Sequence, residues 1–199
     1  DHQSDLSVVD ELPLGGARLL TASALFDLAS APLLEQLVAR LPTGCAIYAA
    51  LNYDGDIRWT PRHPLDERVA AAFNQDQRRD KGLGGPALGP QAVTFLAPLL
   101  ESEGFHVEVA ESPWRLDGQQ SPLVQELVRG IAAAVSGSLA AADTADEPAE
   151  NLTEALTAAA LADWRVFREQ HADSGTCYIG HLDLLATPST SAGERLDKA

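Results

Sequence analysis

Thr21 and Ser23 close a short apolar run, Ala17 to Thr21, just before a helical apolar pattern at Leu25, Leu28, Leu33, Leu34 and Leu37. In an open α/β sheet, ligands sit where strands end and helices begin. Thr21, Ala22 and Ser23 therefore mark a pocket edge, with small side chains that leave room and hydroxyls that orient a ligand. The competing account is capping of the following helix by Thr21 or Ser23. Asn52, Tyr53 and Asp54 close a second apolar run, and Tyr53 or Asn52 is a candidate for substrate contact, set against ordinary turn chemistry. Asn74, Gln77 and Lys81 recur at helical spacing, so they would share one face and offer amide and ammonium donors to a polar substrate. Set against that wall is a merely solvated helix end. Trp114 and Arg115 offer an aromatic surface and a cation to an anionic substrate, or Trp114 caps the core. Cys177, His181 and Asp183 alternate along one strand-like run. Neighbours spaced two apart on a strand face lie roughly 7 Å apart, too far for direct hydrogen bonding, so no nucleophile set is expected there. His181 reads as a core or hinge histidine and Cys177 as a packed thiol.

The elements that position these residues follow from periodicity and punctuation. Pro32 to Leu41 reads as an amphipathic helix capped by Ser30 and stopped at Pro42-Thr43-Gly44. Cys45 to Tyr53 is a near-continuous apolar run of the kind a central strand shows. Asp54-Gly55 is a hairpin signal leading to Ile57-Arg58-Trp59. A helix from Pro64 to about Arg79 stops at a glycine-rich stretch, and another runs from Gly89-Pro90 to Gly104, with Pro98 as a possible kink. Phe105 to Ala110 reads as a strand, Pro122 to Val135 as a helix, and Ser136 to Asn151 as a mobile loop. Helical spacing resumes at Leu152, a last strand spans Cys177 to Ala186, and residues 188–199 read as a disordered tail. Strands separated by helices imply an α/β sheet.

Composition narrows the function classes. With 199 residues, 45% of them apolar, one core and one domain are expected. A formal charge of −15, from 29 acidic and 14 basic residues, opposes a phosphate backbone, so no nucleic-acid partner is expected. The sequence has neither an uninterrupted apolar span nor a signal-like start, and the expectation is a cytoplasmic, bacterial protein without a membrane partner. Cys45 and Cys177 lie in apolar runs, as buried free thiols do, so neither a disulfide nor a metal is expected.

The stretch ARLLTASALFDLAS, Ala17 to Ser30, resembles the fourth strand and following loop of class I S-adenosylmethionine (SAM)-dependent methyltransferases, where a DLVxxSxLLxL-like segment passes beside cofactor and methyl acceptor. The resemblance covers roughly residues 1–187 as a partial methyltransferase domain. It implies a Rossmann-like α/β sheet, mostly parallel with an antiparallel last strand. Ala17 to Thr21 looks like strand 4, Cys45 to Tyr53 like strand 5, Phe105 to Ala110 like strand 6 and Cys177 to Ala186 like strand 7.

The same resemblance implies that Asp5, in His2-Gln3-Ser4-Asp5-Leu6, accepts the adenine amino group while the adjacent Leu6 amide meets a ring nitrogen. Thr21, Ala22 and Ser23 would complete the cofactor set, and Asn52, Tyr53, Asn74, Gln77, Lys81 and Trp114 the substrate set. No catalytic residue is assigned. The chain departs from the family in lacking a glycine-rich loop after a strand and the acidic residue that grips the ribose. Gly82-Leu83-Gly84-Gly85 follows a helix and is no substitute. The N-terminal strands of the sheet are therefore expected to lie upstream or in another chain. The implied function is SAM-dependent methyl transfer to a small-molecule acceptor, an in-line displacement carried by alignment and desolvation. A homodimer is the candidate assembly, and the alternative is a non-catalytic α/β binding or regulatory module.

Overall fold

The computed structural model describes residues 4–142 and 156–189. The expected features at His2 and Gln3, most of the loop up to Asn151, the helix start at Leu152 and nearly all of the tail lie outside those residues. Strands β1 (Leu19–Ser23), β2 (Ala46–Thr60), β3 (Phe105–Glu111), β4 (Trp114–Leu116) and β5 (Thr176–Pro188) form one sheet. Its order is β1-β2-β5-β3, with β4 also on β5. Helices α1 (Ala31–Ala39), α2 (Asp66–Asp76), α3 (Ala92–Ser102), α4 (Ser121–Ala142) and α5 (Ala158–Gln170) connect the strands.

β1 pairs with β2 in parallel, from Leu19 opposite Ala46 to Ser23 opposite Ala50. β5 is antiparallel to β3, from Phe105 opposite Pro188 to Glu111 opposite Leu182, and antiparallel to β4. The sheet is therefore mixed, not mostly parallel, because the last strand takes two antiparallel partners. β4 is a strand where only an aromatic–cation pair was expected. Pro113, which has no N–H to give a ladder, separates it from β3.

Three other expectations are corrected. Asp54-Gly55 does not reverse the chain: β2 runs on to Thr60, with Gly55 at φ +95° absorbing the local distortion inside the strand. Residues 136–142, assigned to a mobile loop, continue α4, since Ala and Leu sustain a helix there. Thr21 and Ser23 lie inside β1 and cap nothing; Ser30 caps α1 by accepting from the Leu33 amide.

Contacts divide the chain into two compact units. The first comprises Asp1–Asp54, Arg78–Ser112 and His181–Ala199. In it α1 and α3 cover the sheet, burying Leu34, Leu96 and Leu100 with Ile47 and Leu184. Pro98 sits within α3 without ending it.

The second unit comprises Gly55–Gln77 and Pro113–Gly180. Here α4 packs on α2 and α5, burying Val124, Val128, Ile131 and Val135. Among the described residues this is one helix long and apolar enough to cross a membrane. Arg168 is 2% exposed and grips Asp66: Nη2 lies 2.6 Å from each carboxylate oxygen and Nη1 lies 2.7 Å from the Pro61 carbonyl. Trp164 Nε1 also donates to Asp66, at 2.9 Å, and its ring meets Trp59 edge-on. Cys177 is buried, which pushes its thiol up to about 12 against the opposing pull of Arg168, so it remains protonated. Gly175 is required by close approach, because a Cβ there would fall 2.2 Å from the Thr60 carbonyl oxygen.

Candidate functional site

Two non-glycine residues of the first unit adopt left-handed backbone, Ala24 at φ +49° and Leu51 at φ +54°. They are joined: the Ala24 amide donates to the carbonyl of Ala50, 3.0 Å away. Left-handed geometry costs a non-glycine residue roughly 1–2 kcal/mol and persists only where its surroundings hold it. Around Leu51 they do. Its amide donates to Asp183 Oδ1 at 2.8 Å, and the same carboxylate accepts from Ser112 Oγ at 2.5 Å and Tyr48 Oη at 2.6 Å. Asn52, 2% exposed, donates through Nδ2 to the carbonyls of Ala49 and Leu182, which fastens the distorted stretch of β2 to β5.

Burial works to raise the Asp183 carboxyl, but the hydrogen bonds from Ser112, Tyr48 and the Leu51 amide, with the charge of His181, outweigh it and hold the carboxyl below its ordinary range. The hydrogen bond to Asp183 raises Tyr48, which stays a phenol donor.

The opposite case lies nearby in the fold. Asp27, in a 3₁₀ turn at Phe26–Leu28 beyond β1, is 8% exposed, and its Oδ1 has no hydrogen-bond partner among the described residues. Burial raises its carboxyl, opposed by nearby backbone amides, including that of Tyr53, and by the charge of His181. His181 is itself 9% exposed and meets the Tyr53 ring edge-on, with centroids 6.3 Å apart. A buried histidine thus acts on two carboxylates in contrasting states, one fully bonded and one with an idle acceptor. An idle carboxylate oxygen can accept a hydrogen bond from an N–H or O–H.

The raised carboxyl makes a stability prediction. A carboxyl whose folded pKa is raised contributes stability below its unfolded value of about 3.9 and loses it as pH rises through the folded value. Asp27→Asn, which removes the charge, is expected to stabilise the protein by about 1–3 kcal/mol at pH 7, with the gain shrinking as pH falls toward 4. Urea denaturation at several pH values measures this. A variant less stable than wild type at pH 7 contradicts it.

A separate cavity of about 320 Å³ opens between β1, α1 and the N-terminal segment, at the small end of ligand pockets. Of the expected cofactor residues, Leu6, Thr21 and Ala22 line it, together with Phe26, the neighbour of Asp27 in sequence. Ser23 ends β1, exposed. The Asp5 carboxylate is engaged by the Ser7 amide and hydroxyl, and these bonds lower it.

Of the expected substrate residues, Asn52 and Tyr53 meet at the distorted strand. Asn74 donates to the Gly55 carbonyl at 3.0 Å. α2 ends at Asp76, so the helical repeat does not reach Lys81; Asn74 and Gln77 belong to the second unit and Lys81 to the first. Trp114 lies on β4, and alternation puts it on the face opposite Arg115, so those two do not form one wall. Sequence reasoning missed Asp27, Ser112 and Asp183 as a set. Their one visible trace was polar residues within otherwise apolar runs.

No protein-family model matches the chain, and no curated protein does. Among solved structures, it is similar to a Haemonchus contortus phospholethanolamine N-methyltransferase 2 in complex with phosphomonomethylethanolamine and S-adenosylhomocysteine, at 11% identity and a TM-score of 0.31. That alignment covers 86% of this chain and 34% of the other, so the chain spans about a third of that protein's length. A superposition this loose transfers no residue role.

Proposed function

We propose that this chain is the acceptor-side part of a SAM-dependent methyltransferase that acts on a small molecule. The observation that carries this reading is the buried Asp27 with its idle Oδ1 beside His181, following directly on a strand end lined by small residues. A methyl acceptor with an N–H or O–H must give up a proton. In this reading the Asp27 carboxylate, whose burial favours its protonated form, takes that proton once the acceptor reaches it.

The residues fit SAM only in part. The apolar cavity with its Thr21 hydroxyl suits an adenine ring. Among the described residues no charged side chain lines it, so the ribose hydroxyls and the methionine ammonium and carboxylate find no ionic partner among them. When bound, SAM supplies an electrophilic methyl group. Groups to hold its polar parts would come from a further segment or a second copy of the chain.

That partial fit favours one competing reading, a non-catalytic binding module. Titration calorimetry with SAM and with S-adenosylhomocysteine separates the two. Saturable binding that Ala22→Phe weakens by at least about tenfold, or 1.4 kcal/mol, supports the transferase reading. Absence of binding by a folded protein, alone and under conditions where it self-associates, leaves the binding module.

A further inference from the structure

The second unit carries a feature that the methyl-transfer reading does not use. In a chain of formal charge −15, an open cleft of about 750 Å³ is lined by three arginines, Arg58, Arg62 and Arg115. Two of them converge on one aromatic ring: the Arg58 guanidinium carbon lies 3.9 Å from the Tyr178 ring centroid and that of Arg115 lies 5.0 Å away. The sheet enforces this. Arg115 of β4 is directly opposite Tyr178 of β5, and β2, which carries Arg58, neighbours β5.

The acids of the cleft do not neutralise this charge. Asp66 is gripped by Arg168 and also accepts from the His63 amide, which leaves Glu67 as the nearby carboxylate of the lining. Arg58 has one exposed partner, Asp56, at 3.1 Å, a contact worth little at the surface. Arg62 and Arg115 make no ion pair among the described residues.

We propose that this cleft binds a small molecule bearing a phosphate or carboxylate, with Arg58, Arg62 and Arg115 as its ligands. Cation–π contact with Tyr178 holds two guanidinium groups near one point before an oxyanion arrives, so less side-chain freedom is lost on binding. Cation–π contact leaves those N–H donors available, which an ion pair would not. A small anion is selected over a polyanion. Inside the cleft it feels the adjacent arginines, whereas a nucleic acid extends beyond the screening length of about 8–10 Å into the field of a strongly acidic protein. The proposal does not depend on the transferase reading.

The test is titration of the protein with inorganic phosphate, phenyl phosphate and benzoate at constant ionic strength, followed by the arginine Nε–Hε NMR signals. Saturable shifts are expected for Arg58, Arg62 and Arg115 and none for exposed Arg18. Comparing the phosphates with benzoate tells which oxyanion is preferred. Arg62→Gln and Arg115→Gln, both exposed and remote from the core, should each weaken binding about tenfold or more while the circular dichroism spectrum is retained. Arg18→Gln should leave binding unchanged. Unsaturable shifts shared by Arg18, or affinity unaltered in both cleft variants, would overturn the site. Tighter binding of a short oligothymidylate than of phosphate would overturn the small-molecule assignment.

Discussion

Asp66→Ala is expected to destabilise the protein by about 3–5 kcal/mol, the usual cost of leaving a buried charge without its counterion. Arg168 has almost no exposure and would keep only the Pro61 carbonyl as an acceptor among the described residues, while Trp164 Nε1 and the His63 amide would lose theirs. In a chain of this size such a loss lowers Tm by roughly 6–20 °C. The double variant Asp66→Ala/Arg168→Met should recover much of the deficit, because it removes the charge along with its partner and leaves an apolar chain beside Trp59 and Phe167. Equilibrium urea denaturation of the single and double variants decides the matter. A single variant within about 1 kcal/mol of wild type, or a double variant no better than the single, would mean that Arg168 reaches water when Asp66 is absent.

Asp183→Ala should cost about 2–4 kcal/mol, less than the sum of three charge-assisted hydrogen bonds because they share one carboxylate. The loss has a location: the Leu51 amide would be left without its acceptor in a backbone conformation that already carries strain. Hydrogen exchange at Leu51 should accelerate more than exchange in the core of α3. The pH dependence follows from the lowered carboxyl. A depressed folded pKa gives stability that is present above the unfolded value of about 3.9 and lost as pH falls through the folded one. Wild type should therefore lose stability on acidification below about pH 4, and Asp183→Asn should flatten that part of the profile while starting lower at neutral pH. An unchanged acid slope in Asp183→Asn would assign the acid sensitivity to other carboxylates.

Both variants probe interactions that the one-dimensional pattern conceals. Asp66 and Arg168 are 102 positions apart, and Leu51 and Asp183 are 132 apart. Neither pair leaves a local signature, since periodicity reports which face of an element is apolar and says nothing of which distant polar group will meet it.

The features legible in the residues are those that depend on neighbours within a few positions. The Ser30 cap, the apolar stripe of α1, the apolar run of β2 and the strands around Phe105 and Cys177 all follow from capping and side-chain period, and the structure has each of them. The parallel pairing of β1 with β2 was legible for the same reason, because an intervening helix is long enough to cross over. Tertiary structure alone decided the rest. A lone Asp-Gly signal could not tell a reversal from a glycine within a continuing strand, because that outcome depends on whether a partner strand is present to keep β2 extended. Asp27 is an ordinary acidic residue in the sequence and becomes a raised carboxyl only because the fold buries it, against the opposing charge of His181. Arg58 and Arg115 are two scattered cations until β2 and β4 both come to lie beside β5 and bring them to Tyr178. Burial and long-range register set the charge state and company of these side chains, and both are properties of the assembled sheet, not of any segment of the chain.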